Sequence, residues 1–320
     1  MNFAELAPHF ADESKAIEFV ESLMWPDGPV CPHCGGMEKA YKIKPNPDKR
    51  VRPGLWKCGH CRQQFTVKIG TIFEGSHIPM TKWLMAIYMM CSSKKGISAN
   101  QIKRSLGLSY KSAWHLCHRV RLAMTQEPLA SKLGAGGGVV EIDETYIGGK
   151  ISNNRRKPYQ GRGTKSKIAV MTLIERGGNV RTFKLPNTKK GTLQAVTIPN
   201  VDETAHIITD EHAAYKGLSK HFASHEVINH SKTYVRGVIH TNFAESYHSL
   251  LKRGIVGSFH HVSEQHLPRY LREFEFRWNS RKETDGERTV AAIQGARGKR
   301  LYFRTPVART DHGPGSSFVR

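Results

Sequence analysis

The chain has 320 residues, enough for about two domains, and 38% of them are hydrophobic, which excludes wholesale disorder. Lys and Arg number 49 against 27 Asp and Glu, a formal net charge of +22. The longest apolar run, Trp83 to Cys91, has nine residues, well short of the ~18 that a membrane span needs.

An excess of positive charge on this scale repels itself, and a polyanionic partner is the simplest reason for it. Nucleic acid is expected, because phosphate neutralisation supplies most non-specific affinity. The N-terminus, MNFAELAPHF, carries an acid where a signal peptide would be basic. No export signal is expected, and the chain is placed in the cytoplasm, on the nucleoid.

Four of the six cysteines form two pairs, Cys31-Pro-His-Cys34 and Cys58-Gly-His-Cys61. Each two-residue spacing lets a tight knuckle aim both thiolates at one ion, and two knuckles complete a tetrahedral zinc shell. Such a shell has no open position, so zinc here is expected to be structural. Redox chemistry is the alternative, but no thioredoxin-like βαβ pattern surrounds either pair. His33 and His60 are expected to face solvent. Between the pairs lies the turn-rich Lys44-Pro-Asn-Pro-Asp48, and Gln64 to Lys68 reads as a return strand.

A buried helix is expected from Met80 to Cys91, with Thr81 as its cap. Ser98 then caps a helix through Arg104, Gly107 makes a turn, and Ser109 caps a second helix with Ala113, Leu116, Cys117 and Val120 on one face. Helix, short glycine turn, helix fits either a helix-turn-helix reader or a plain αα-hairpin. From Lys94 to Gln126 there are seven Lys and Arg and no acid, which favours the reader. Lys111, Ser112, His115 and Arg119 are the candidate DNA contacts. Gly134 to Gly138 reads as a linker.

Beyond it come β-type runs. Val139 to Asp143 and Lys167 to Ile174 are the first two strands, and Asn179 to Leu185 the third. A helix near Lys189 to Ala195 leads to a fourth strand, His206 to Asp210. A further helix precedes the fifth strand, Glu226 to Asn229. Helices follow from Asn242 to Lys252 and from Glu264 to Asn279. Strands 1 and 4 are each expected to end in an aspartate. Carboxyl ends of adjacent strands converge on one crevice in open α/β sheets, so Asp143 and Asp210 are expected to meet. Glu245 supplies the third acid from the helix after strand 5. Lys252 lies two turns further along the same face, and Asn242, one turn before Glu245, is expected just outside the metal ligands. Glu141 shares the face of Asp143 and is the nearest competitor, expected outside the metal shell. Three carboxylates suit Mg²⁺ or Mn²⁺ and two-metal phosphoryl transfer. The loop Gly148 to Lys167 holds seven basic residues and no acid. Arg155, Arg156, Lys157, Arg162, Lys165 and Lys167 are expected either to track DNA backbone or to form a solvated loop.

These stretches together resemble the prokaryotic insertion-sequence DDE transposases that carry an N-terminal zinc ribbon. The matching segments are CPHC…CGHC with FTVKIGTIFEGSHIPMTKWL, then VVEIDETYIGGK, IITDEHAAYKGL and HTNFAESYHSLLKRGIVGSFHHVSEQHLPRYLREFEFRWNSR. In that family the third acid position can be Asn; here Glu245 fills it, with Lys252 seven residues later. The resemblance implies an α/β fold: a ribonuclease-H-like mixed sheet with flanking helices, preceded by a zinc ribbon and a helix-turn-helix segment. It divides the chain into an N-terminal helix and ribbon (1–75), the helix-turn-helix segment (76–133), the catalytic domain (134–302) and an unstructured tail (303–320). It also implies hydrolysis at element ends, freeing 3′-OH groups that attack target DNA. Lys252 would contact phosphate. Double-stranded DNA, at element ends and target, is the implied partner, bound by a homodimer or higher oligomer with no membrane involved.

A zinc-ribbon and helix-turn-helix regulator with a non-catalytic C-terminal domain is the main rival, but it has no use for acids at strand ends. A stand-alone nuclease of ribonuclease-H type has no use for residues 20 to 125. No Arg-rich site around one nucleophile suggests a Tyr or Ser recombinase. His240, His260 and His261 lack a convincing metal-ligand spacing.

Overall fold

The computed structural model describes residues 3–49, 51–126, 131–148, 167–228 and 240–303. Two helices open the chain, α1 (Phe3–Ala11) and α2 (Glu13–Met24). Asp12 caps α2 by accepting the Lys15 amide at 2.9 Å. Three short antiparallel strands follow in the order β1 (Ala40–Lys42), β2 (Trp56–Cys58), β3 (Gln64–Phe65). They carry the cysteine knuckles at one end.

Next come α3 (Met80–Ser92), α4 (Ala99–Leu106) and α5 (Tyr110–Ala123). Thr81 does not cap α3. The Glu13 carboxylate does so from α2, taking the amides of Met80 at 2.8 Å and Thr81 at 3.1 Å. The α4–α5 pair forms as its sequence predicts. Ser98 accepts the Gln101 amide and Ser109 the Ser112 amide, while Gly107 ends α4 at φ +60°. Leu84, Ile102, Leu106, Ala113, Leu116, Cys117 and Val120 share one buried core. That core also takes in Ala292 and Ile293 of α9 (Asp285–Gln294). The last helix among the described residues thus packs on the N-terminal helical layer, not on the sheet.

The second unit is a five-stranded mixed sheet: β4 (Val139–Ile147), β5 (Ile168–Glu175), β6 (Val180–Leu185), β7 (His206–Asp210) and β8 (Ser224–Ile228). Its order is β6-β5-β4-β7-β8. The meander β4–β5–β6 is antiparallel, and β7 and β8 add in parallel to β4. Strand alternation sorts the side chains. Met171 and Leu173 pack toward α6 (Lys190–Asn200) on one face. Val170 and Ile174 pack on the other toward α7 (Asn242–Gly254) and α8 (Leu267–Asn279). This mixed sheet with flanking helices is the ribonuclease-H-like architecture. At Gly254 an added Cβ would lie 2.3 Å from Phe274, so only glycine lets α7 close on α8 there.

Two details differ from expectation. Strand β4 runs on to Ile147, because the β5 partner continues alongside it, so Asp143 sits mid-strand. Its parallel pairing with β7 stops at Ile142 opposite Thr209, so the aspartates still meet where β7 ends. Between β7 and β8 there is no α-helix, only 3-10 turns at Ala213–Tyr215 and Leu218–Lys220. Gly217 at φ +97° breaks the run between them. Among the described residues no helix is long and apolar enough to cross a membrane. The basic loop from 149 to 166 and the tail after 303 lie outside the described residues.

One buried group makes the helical layer acid-sensitive. His118 of α5 has no exposed surface, and neither ring nitrogen has a hydrogen-bond partner. Trp114, His266 and Tyr270 enclose it. Burial first, then the charges of Arg121 and Arg269, push its pKa down to about 2. Below about pH 6.5 the unfolded chain takes up a proton that folded His118 refuses. Stability is therefore expected to fall as pH falls, by up to about 1.4 kcal/mol per pH unit. Urea midpoints between pH 7.5 and 5 check this: His118→Leu should reduce the slope, and an unchanged slope would place the acid sensitivity elsewhere.

Candidate active site and zinc ribbon

The four knuckle cysteines converge. Cys31 and Cys61 Sγ atoms are 3.6 Å apart, as are those of Cys34 and Cys58. All four sulfurs lie within 4.8 Å of one another, and none is in a disulfide. A tetrahedron with zinc–sulfur bonds of about 2.3 Å has edges of about 3.8 Å, so the donor set fits one zinc ion. Backbone N–H groups of Cys61 and His60 aim at Cys58 and lower its thiol to about 6, while burial and the neighbouring thiols push Cys61 up to about 12, so in the absence of an ion the four sulfurs do not all ionise together. His33 and His60 are exposed and outside the cluster.

On α5 the expected DNA contacts divide. Lys111 is exposed, with Nζ 4.8 Å from the Phe303 ring. Ser112 hydrogen-bonds the Ser109 hydroxyl at 3.0 Å. His115 is half-buried, 5.4 Å from the same phenyl ring, and burial lowers its pKa. Arg119 does not face outward. It is buried and donates to the carbonyls of Ile72 at 2.9 Å and Leu301 at 3.2 Å, so its guanidinium stitches the helical layer together instead. Lys167 is exposed just before β5. Arg155, Arg156, Lys157, Arg162 and Lys165 lie outside the described residues.

The sheet brings Asp143 and Asp210 together. Carboxylate oxygens of Asp143, Glu144 and Asp210 lie within 4.8 Å of one another, all partly buried. Asp143 takes the Glu144 amide at 2.8 Å, and Asp210 takes the His212 amide at 3.0 Å. Burial first, with the Tyr215 hydroxyl opposing and the charges of Asp210 and Asp143 adding to it, raises Glu144 to about 7. Its Oε1 is buried and makes no hydrogen bond. An orphaned oxygen among three converging carboxylates fits a hard divalent cation.

Glu245 stands in the first turn of α7, exposed, and outside this group of three. It lines a cleft of about 400 Å³ with Asp143, Glu144, His248, Lys252 and Arg253. Asn242 begins the helix, is exposed, and does not line that cleft. Glu141 is fully buried, is outside the acidic group, and accepts the amides that open α7. Beside Glu144, a sequence neighbour of Asp143, two further lining residues, His248 and Arg253, are absent from the expected site. His248 is buried, with Nδ1 3.4 Å from Asp143 and Nε2 2.8 Å from the Thr172 hydroxyl. Its spacing of three from Glu245 places it on the same helical face, which is the one signal that points to it. Arg253 follows Lys252 at the rim.

With this geometry, comparison with known proteins is informative. Residues 135–279 match the ISXO2-like transposase domain, and residues 11–64 match the transposase zinc-ribbon domain. The chain belongs to the insertion-sequence DDE transposases that carry an N-terminal zinc ribbon. It is 26% identical over 287 residues to an uncharacterised protein in transposable element ISH50 of Halobacterium salinarum, covering 84% of this chain and 91% of that one. Among solved structures, a chain of a pre-cleavage Mos1 transpososome is similar at 13% identity, covering 65% of this chain and 75% of that chain, with a TM-score of 0.25. The transposase is therefore a polynucleotidyl transferase with a structural zinc module and an acidic, divalent-metal centre.

Zinc binding at such a ribbon is folding free energy. Elemental analysis of freshly purified transposase should find one zinc per chain. Cys58→Ser should release it and melt β1–β3, seen as loss of protease resistance confined to residues 25–70. A full zinc complement in Cys58→Ser would remove this cysteine from the shell.

Proposed function

We propose that the transposase cuts insertion-sequence ends and joins the freed 3′-OH to target DNA at the Asp143–Asp210–Glu245 cleft. The observation that carries this reading is the carboxylate cluster itself. Clustered negative charge at a DNA-facing cleft, in a chain of net charge +22, repels substrate unless cations invert its sign. Asp143, Asp210 and Glu245 would hold Mg²⁺ or Mn²⁺, since every donor is a carboxylate oxygen. When bound, such ions stabilise the attacking and leaving oxygens of an in-line displacement at phosphorus.

The chain's own groups supply the rest. Lys252 and Arg253 at the rim receive the phosphate backbone. His248 holds Asp143 against β5 through Thr172. In the first step a water oxygen attacks the phosphodiester and the element's 3′ oxygen leaves as a hydroxyl. In the second, that hydroxyl attacks a target phosphodiester, so one bond forms as one breaks. Residues 1–75 and 76–133 would read the element ends, with Lys111 and Ser112 nearest the bases, and 134–302 would perform the chemistry. We further propose that it works as a dimer or higher oligomer on double-stranded DNA, in the cytoplasm on the nucleoid. A regulator without catalysis leaves the acidic cluster unexplained.

One observation favours a second ligand set: Glu144, not Glu245, lies within the tight group. Cleavage of a labelled element end in Mg²⁺ separates the two. Asp143→Ala, Asp210→Ala and Glu245→Ala are each expected to lower cleavage and strand transfer by several orders of magnitude. DNA binding in metal-free buffer should persist. An inactive Glu144→Ala beside a nearly normal Glu245→Ala would reassign the third ligand, and near-normal strand transfer by Asp210→Ala would end the proposal.

A further inference from the structure

Two residues before Asp143, on the same face of β4, lies Glu141. Its side chain has no exposed surface. Oε2 accepts the amides of Phe243 at 2.9 Å and Ala244 at 3.1 Å, the first turn of α7. Oε1 accepts Arg176 Nε at 2.8 Å and lies 3.3 Å from His240 Nδ1. Arg176 in turn donates to the His240 carbonyl at 2.8 Å, and its own amide donates to Val139 of β4 at 3.0 Å.

A helix normally has its first amides capped by the side chain that precedes it. Thr241 holds that position in α7, yet its side chain makes no capping bond. The cap comes instead from a strand more than 100 residues earlier in the chain. A carboxylate at a helix N-terminus also meets the positive end of the helix dipole, and Arg176 answers its remaining charge. The consequence reaches the cleft. Glu141 is joined to Asp143 by two residues of strand, about 7 Å of fixed backbone. The amides it holds immediately precede Glu245. His248, one turn later, contacts Asp143 itself. The start of α7 is thus pinned to β4 at two points.

We infer that Glu141 is a positioning residue: its carboxylate sets the distance between Asp143 and Glu245 and so tunes the metal centre without touching it. This rests on Glu245 being a metal ligand. A merely structural cap would affect stability alone, whereas a positioning role moves metal affinity, and groups that orient metal ligands typically alter it 10–100-fold.

Glu141→Ala would leave Arg176 buried beside a cavity, so paired changes are the sharper probe. In E141M/R176M both charges go and the volume stays, which buried ion pairs often tolerate, but α7 loses its cap. E141Q/R176M keeps a carbonyl oxygen for the two amides. Mn²⁺ binding to the full-length, zinc-loaded, DNA-free protein is read by calorimetry, beside thermal unfolding and duplex binding in metal-free buffer. E141M/R176M is expected to unfold as a normal folded protein and bind duplex normally, with Mn²⁺ affinity at least about 10-fold weaker. E141Q/R176M should stay within a few-fold of native. Adding Glu245→Ala to E141M/R176M should cost much less than Glu245→Ala costs alone, because the two act through one geometry. Mn²⁺ affinity within twofold of native in E141M/R176M overturns the inference. So does full additivity with Glu245→Ala, which would leave Glu245's own role standing. If Glu245→Ala alone leaves Mn²⁺ affinity unchanged, the ligand assignment fails first and this inference falls with it.

Discussion

Arg121 and Glu273 form an ion pair at 2.5 Å with side chains no more than 2% exposed. Arg121 belongs to α5, the second helix of the α4–α5 pair, and Glu273 to α8, which lies on the sheet. The same carboxylate binds Arg277, whose guanidinium also donates to the Met90 carbonyl of α3 at 2.9 Å. Two buried guanidinium groups share one carboxylate, and the uncancelled charge meets aromatic faces, with Tyr270 3.9 Å from Arg121. Such a cluster adds little net stability over apolar packing, but removing one partner costs about 3–5 kcal/mol. Its effect is orientation: charges buried this deeply accept only one arrangement of α5 against α8.

The opposite face of α8 is tied just as tightly to the sheet. Glu275, two residues on and ~200° around the helix, accepts both the amide and the hydroxyl of Thr182 in β6, the latter at 2.6 Å. Four residues later the Asn279 side chain takes the Val180 amide at 2.8 Å. The helix α8 is therefore a spine with a carboxylate on each side, one gripping α5 and one gripping the sheet that carries the acids. The orientation of α5 relative to the sheet is therefore fixed through this one helix.

Much of this was legible in the sequence wherever the cause is local. Knuckle spacing gives Cys31, Cys34, Cys58 and Cys61. Ser98, Gly107 and Ser109 mark helix ends by side-chain and φ chemistry that acts within four residues. Apolar runs locate β5, β6 and β7. What stayed hidden depends on partners far along the chain. Arg119 looks like a surface cation until the Ile72 carbonyl is beside it. Glu13 reads as a first-turn acid of α2, yet it caps α3. His248 and Glu141 follow ordinary periodicity, and only the packing of α7 on β4 gives them neighbours. The length of β4 was misread because its continuation is set by β5, not by a change in its own composition.

Two glutamates of β4, Glu141 fully buried and Glu144 partly so, show what folding alone settles and what it leaves open. Glu141 and Glu144 are three residues apart, on opposite faces of one strand. Arg176 and two helix amides answer the charge of Glu141 entirely within the protein. For Glu144 burial first, and then the charges of Asp210 and Asp143, favour the protonated form, with the Tyr215 hydroxyl opposing them. A partly buried carboxylate with two acidic neighbours is costly in its charged form, and a divalent cation beside it would remove that cost. Glu144 stands with Asp143 and Asp210 in the tight group, while Glu245 enters the cleft from the first turn of α7, whose preceding amides Glu141 holds.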